Sequence, residues 1–247
     1  MKVTLKSFTQ DVEGKRNLLE QIAYVARVSN PSNQNNDTTA EKLVDYLIKH
    51  KHWSPLEMVD ATLEIETTRD IARQILRHRS FTFQEFSQRY ADPTKDLGFV
   101  TREARLQDEK NRQNSVDFDD DFIKAEWENY QRTVLNNAKS AYKWAINNGL
   151  AKEQARVVLP EGLTVSRMYM KGSIRSWIHY IQIRSGVETQ KEHREIAVAC
   201  ADALAPIFPM IYRFVDISSW THEISKELHA VHSIEAEEYL INVLGNN

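Results

Sequence analysis

The residues best suited to chemistry are concentrated in one stretch, RHRSFTFQEFSQRY, residues 77 to 90. Arg77, His78, Arg79 and Arg89 alternate there with Phe81, Phe83, Phe86 and Tyr90, and Gln84, Glu85, Ser87 and Gln88 lie among them. A guanidinium is permanently charged, forks onto phosphate or carboxylate and stacks on flat rings. Cations interleaved with aromatics suit a ligand that carries both a phosphate and a ring. A solvated charged face is the plainer reading, but such a face does not favour so many aromatics. A second basic set, Arg156, Arg175, His179 and Arg184, follows near helix ends about a hundred residues later. Buried arginines need carboxylate partners or an anionic ligand, and ion pairing with this chain's Asp and Glu is the alternative for each. The set either faces the first stretch within one subunit or reaches it from a neighbour.

Other chemistries fit less well. Ser87 has His78 near it in sequence, but no nucleophile elbow surrounds it, so it reads as a ligand-bonding or loop-shaping hydroxyl. His222, His229 and His232 are the closest approach to a metal set, yet HEISKELH spaces its histidines too widely for HExxH, and no metal is expected. With seven glycines and no GxGxxG or GxxxxGKS, any nucleotide must be held by side chains. The single cysteine, Cys200, sits in the apolar helical pattern IAVACADAL and reads as core, which leaves no intrachain disulfide.

The bulk properties make any anion site local. The chain has 247 residues, 41% apolar and 27% charged, with a net charge of −3, which argues against a broadly basic nucleic-acid surface. An RNA-binding platform and a purely structural oligomerisation module are the rival classes. The acidity weighs against the first, and the second leaves the placed arginines without ligands. No segment approaches the roughly 18 apolar residues of a membrane span, and MKVTLKSFTQ has no apolar signal core, so a cytoplasmic protein is expected.

The elements that position these residues follow from periodicity. Val3, Leu5 and, after a slip, Phe8 suggest an opening strand; residues 16 to 28 a helix; and 29 to 37 a loop before a helix capped by Asp37. Ser54, Pro55 and Glu57 form a capping-box pattern, and Val59, Ala61, Leu63 and Ile65 alternate as a half-buried strand. Thr68 caps a short helix that delivers Gln74 and Arg77 to the start of a loop. Residues 91 to 118 read as long and irregular. The longest helix follows at about 119 to 148, with Ile123, Trp127, Tyr130, Val134, Leu135, Ala138, Tyr142 and Ala145 on one face and Gly149 as its stop. A short helix carries Arg156 toward Pro160, and Leu163, Val165 and Tyr169 suggest a strand. Ser173 caps a helix bearing Ile174, Trp177, Ile178 and Ile181, and Thr189 with Glu192 looks like a second capping box opening the next helix. The C-terminal part is expected to be helical with a connecting loop. The fold class is α+β: a mostly helical single domain, 1–247, with a small antiparallel or mixed sheet.

The segment RHR, seven residues, then S-x-R, resembles the signature of flavin-dependent thymidylate synthases. HWSPLEM (52–58), ARVVLP (155–160) and IRSGVETQKEHRE (from 183) reinforce the resemblance in the family's order. It implies synthesis of dTMP from dUMP, with the one-carbon unit from methylenetetrahydrofolate and hydride passed through FAD from NADPH. It also implies a homotetramer with shared active sites. By matching position, the FAD site would comprise His52, Ser54, Arg77, His78, Arg79, Glu85, Ser173, Ile174, Arg175 and His179. The dUMP site would comprise Gln74, Arg77, Glu85, Phe86, Ser87, Gln88 and Arg89, joined by Arg156 and Arg184 from another subunit. Arg184 would be catalytic, a fixed positive charge facing the uracil as its N3 proton leaves. The chain departs from the family pattern at Met58, Gln84, Gln88, Gly186 and Glu188.

Overall fold

The structure, a computed structural model, describes residues 1–216. The expected C-terminal helices beyond Asp216, and with them His222, His229 and His232, lie outside the described residues.

The slip between Leu5 and Phe8 is a β-bulge. In β1 (Lys2–Phe8), Leu5 opposes Leu63 and Ser7 opposes Thr62 of β2 (Asp60–Thr68), which leaves Lys6 as the extra residue. Helix α1 (Leu18–Ala26) opens on a capping box that periodicity alone did not reveal: Asn17 accepts from the Glu20 amide, and Glu20 accepts from the Asn17 amide. Helix α2 (Ala40–Lys49) starts later than expected. Asp37 opens a 3-10 turn instead, and its carboxylate lies 3.5 Å from Arg16 Nε.

Strand β2 turns Ala61, Leu63 and Ile65 into the core and leads into α3 (Arg69–Ile75). Thr68 holds the N-cap position, but its hydroxyl donates to Asp70 at 2.6 Å instead of accepting a helix amide. The stretch expected to be a loop after α3 contains an edge strand, β3 (Thr82–Glu85). The segment read as irregular is tied down. It holds the one-turn α4 (Pro93–Asp96) and a hairpin of β4 (Leu106–Gln107) with β5 (Ser115–Val116). Arg102 bonds Thr68 at 2.6 Å and Asp70 at 2.7 Å, and the Gln131 amide bonds both backbone groups of Arg102 at 2.8 Å.

Gln131 belongs to α5 (Asp121–Asn147), which ends before Gly149, a glycine at φ +80°. The apolar face of α5 does not all meet this chain's core. Leu135, Ala138 and Tyr142 are buried, whereas Ile123, Trp127, Tyr130 and Val134 are exposed. After α6 (Lys152–Ala155) and a 3-10 turn comes β6 (Val165–Ser173), followed by α7 (Ile174–Arg184) and α8 (Lys191–Leu204).

The main sheet has order β1-β2-β6-β3, and every pairing is antiparallel. Its register sets the faces of β6. Ser166, Met168 and Met170 point inward, set by pairing of Met168 with Ile65 and Met170 with Leu63. Tyr169, which helped to mark this strand, points out beside Glu64. Helices α7 and α8 cover the sheet with Trp177, Ile178, Ile181, Ile196, Ala197 and Leu204. Trp177 also satisfies its indole N–H on the Ala61 carbonyl at 3.1 Å. Cys200 is fully buried in this core, as expected.

Candidate functional site

Helix α3 places Arg69 and Arg73 one turn apart, and the chain then turns sharply through residues 76 to 81. The turn is fixed from below by Phe81. Its ring packs on Trp177 at 4.8 Å and occupies the space a side chain at residue 172 would fill, since a Cβ on Gly172 would lie 2.4 Å from Phe81 Cδ1. This aromatic therefore serves the core rather than a ligand. Arg77 and Arg79 stay exposed and make no ion pair among the described residues.

His78 turns inward between them. Its ring meets Tyr180 edge-on at 4.9 Å, and its Nε2 accepts from Arg184 Nε at 2.9 Å. Burial lowers the imidazole to about 4, and the charges of Arg184, His179 and Arg77 push the same way, so near neutral pH it is an uncharged acceptor. The fold thus brings Arg184 to the RHR segment of its own chain. His78 is committed to Arg184, and the Ser87 hydroxyl accepts the Arg89 amide at 3.4 Å, so no serine–histidine pair exists among these residues.

Two clefts are lined by candidate residues. The first, about 920 Å³, is lined by Lys51, Trp53, Glu57, Ser80, Arg175 and His179 among others. Ser173 caps α7 by accepting the Ser176 amide at 3.2 Å, which sets the helix that carries Arg175 and His179. The expected capping box at Ser54–Glu57 does not form. That segment is a 3-10 turn, and the Glu57 carboxylate pairs with Arg175 instead. Lys51, at φ +59°, reverses the chain after α2 and leaves His52 and Ser54 exposed on the rim. Ile174, expected beside a cofactor, has its side chain fully in the core.

The second cleft, about 400 Å³, is lined by Arg69, Arg73, Gln88, Glu153, Arg156 and Glu161 among others. Gln88 is 4% exposed and its Nε2 has no partner, so a buried donor is left for whatever enters. Glu85 is clamped by Arg69 at 3.5 Å and Arg73 at 3.7 Å, and it accepts the Ser166 hydroxyl at 2.8 Å. Arg69 and Arg73 were missed by sequence reasoning, although arginines at 69, 73 and 77 recur at the four-residue step of one helix face. Arg89 pairs with Glu153 at 3.3 Å, and Arg156 donates to the Glu153 carbonyl at 3.3 Å, so ion pairing takes up Arg89 but not Arg156. Phe86 is half-buried where β3 ends.

The second expected capping box, at Thr189 and Glu192, is also absent. Thr189 donates to the Ile183 carbonyl at 3.3 Å, and Glu192 is taken by Arg105 and Gln190.

Residues 13–210 match the family model described as thymidylate synthase complementing protein. A probable flavin-dependent thymidylate synthase of Paramecium bursaria Chlorella virus 1 is 46% identical over 217 residues, 87% of this chain and 99% of the relative. A flavin-dependent thymidylate synthase of Synechocystis is 52% identical over 190 residues, 77% of this chain and 86% of the relative. Among solved structures, the UMP/dUMP methylase PolB of Streptomyces cacaoi, bound with 5-Br UMP, superimposes with a TM-score of 0.71 at 22% identity. The match covers 86% of this chain and 92% of that one, and it establishes a shared fold.

Proposed function

The chain belongs to the flavin-dependent thymidylate synthases, and on that premise we propose that it makes dTMP from dUMP with FAD as the flavin, methylenetetrahydrofolate as one-carbon donor and NADPH as reductant. The observation that carries the site assignment is the pairing of Arg184 with a neutral histidine. Its charge is held in place without being cancelled, and its Nη groups are left to bond a ligand.

The first cleft suits FAD by size and donor set. About 920 Å³ with Arg175, His179, Ser80 and Lys51 on its walls offers cations for the diphosphate, and Trp53 and Ile178 offer apolar surface for a ring. Ser173 also lines it, and His52, Ser54, Arg77, His78, Arg79 and Glu85 complete the assigned set. When bound, the flavin supplies hydride.

The second cleft suits the nucleotide. Arg156 and Arg89 bond the phosphate, each charge-assisted bond typically contributing about 1.5–3 kcal/mol. Gln88 supplies the open amide, Ser87 and Phe86 position the sugar and base, and Gln74 bonds the uracil. Arg184 faces the uracil and stabilises the negative charge that develops as N3 loses its proton, which makes C5 electron-rich. Glu85, fixed by Arg69, Arg73 and Ser166, lies between the two ligands.

The two clefts are lined by different residues, and among the described residues the apolar face of α5 around Trp127 and Tyr130 is exposed. A homotetramer with shared sites accounts for both. Among the described residues no helix is long and apolar enough to cross a membrane, and we place the enzyme in the cytoplasm. The purified protein is expected to be yellow, with a flavin spectrum that shifts on adding dUMP. A colourless protein that neither takes up FAD nor quenches its fluorescence would refute this reading.

A further inference from the structure

A directional chain of hydrogen bonds runs from Glu192 to Tyr180 beneath Gln74. Arg105 donates to Glu192 Oε1, and Gln190 Nε2 donates to Glu192 Oε2 at 2.8 Å. Gln74 Nε2 donates to Gln190 Oε1 at 2.8 Å. Gln74 Oε1 then meets His193 Nδ1 at 3.2 Å, and His193 Nε2 meets the Tyr180 hydroxyl at 3.1 Å. His193 is completely buried, and Glu192 nearly so.

Each group in this chain has one choice. Burial would raise the Glu192 carboxyl, but its own backbone amide, the Gln190 side chain and Arg105 outweigh that and lower it, so it is ionised and accepts only. Gln190 must therefore offer its NH2 to Glu192 and its oxygen to Gln74. Gln74 must offer its NH2 to Gln190, which turns its oxygen toward His193. Burial lowers His193 to about 3, with Arg184, His78 and Arg77 adding to the effect, so the ring carries a single proton. That proton belongs on Nδ1, where it meets the Gln74 oxygen. Nε2 accepts from Tyr180, whose phenol burial keeps protonated. One N–H of Gln74 remains uncommitted.

We propose that His193 is a positioning residue of the nucleotide site, fixing the Gln74 amide through Nδ1–H so that its free N–H is presented to the uracil. The proposal rests on the assignment of Gln74 to dUMP made above. His193 lies within the IRSGVETQKEHRE run that supports the resemblance, but no role was assigned to it there.

The test is equilibrium dialysis of the FAD-loaded enzyme with labelled dUMP, with flavin content and steady-state kinetics measured alongside. His193→Leu leaves the Gln74 amide free to turn and should raise both Kd and KM for dUMP about tenfold, the scale of one lost hydrogen bond. Flavin content should hold, and kcat should change far less than KM. His193→Asn places an amide nitrogen near the position of Nδ1 and should restore most of the affinity. His193→Gln places its amide near Nε2 and should not. If His193→Leu does not accumulate as folded protein, the Asn and Gln pair decides, since both are polar and similar in size. Equal dUMP affinity across wild type and the variants, with flavin bound, overturns the proposal. Absence of dUMP binding by wild type itself would instead remove the nucleotide reading on which it rests.

Discussion

Arg184 donates from Nε to His78 Nε2 at 2.9 Å, so two residues 106 positions apart are joined by a bond in which neither partner is a carboxylate. Holding a guanidinium by a neutral acceptor orients it and preserves its field, which an aspartate in the same place would cancel. Arg184→Ala is expected to cut turnover by about 100-fold or more, the usual cost of losing a preorganised charge at the reacting atoms. Flavin should remain bound. Loss of flavin with dUMP binding intact would move Arg184 to the cofactor site.

The two buried imidazoles make stability depend on pH. His78 is lowered from 6.5 to about 4 and His193 from 6.5 to about 3, both chiefly by burial. Above 6.5 neither the folded nor the unfolded ring is protonated, and their contribution is fully present. As the pH falls below 6.5 the unfolded chain binds protons that the folded chain refuses, so stability drops until each folded pKa is passed. Thermal melts should therefore show Tm declining as acid is added between 6.5 and about 4, and His193→Leu should flatten part of that slope. A decline no shallower in the variant would contradict the assignment.

Gly172 is required by contact rather than by backbone angle. A Cβ there would lie 2.4 Å from Phe81 Cδ1, and the Phe81 ring packs against Trp177 at 4.8 Å and Tyr180 at 6.0 Å. Gly172→Ala is expected to cost about 1–3 kcal/mol, as overpacking does, and to shift the turn that carries Arg77 through Arg79. Chemical denaturation measures the first and FAD affinity the second. An unchanged midpoint would mean that Phe81 is not held there.

Trp127 and Tyr130 stand 46% and 63% exposed on α5, beside Ile123 and Val134. A helix face this apolar requires cover. In the proposed tetramer it is buried between subunits, so Trp127→Glu is expected to give smaller species by light scattering, with loss of activity. A wild-type monomer would contradict the assembly.

The sequence was most readable where one physical rule acted alone. Alternation over Ala61, Leu63 and Ile65 marked β2, and the slip before Phe8 marked a bulge, because period and burial agree there. Three of the sequence's capping assignments failed for a shared reason: Glu57, Glu192 and Asp37 were drawn to arginines distant in the chain, and an ion pair outcompeted the local amide. Tyr169 helped to mark the strand β6 but not its face, because strand parity is set by the partner β2, which local sequence does not contain. At the site, arginines and motif residues stood out by type. Arg69, Arg73 and His193 did not, because their roles depend on Glu85 and Gln74 being beside them in space.

The central claim is tested most directly by following the C5 proton of dUMP. Purified enzyme supplied with FAD, methylenetetrahydrofolate and NADPH should release tritium from 5-tritiated dUMP and accumulate dTMP, and Arg184→Ala should do neither while staying yellow. Tritium retained by a folded, flavin-loaded wild-type enzyme in the presence of all three would contradict the account.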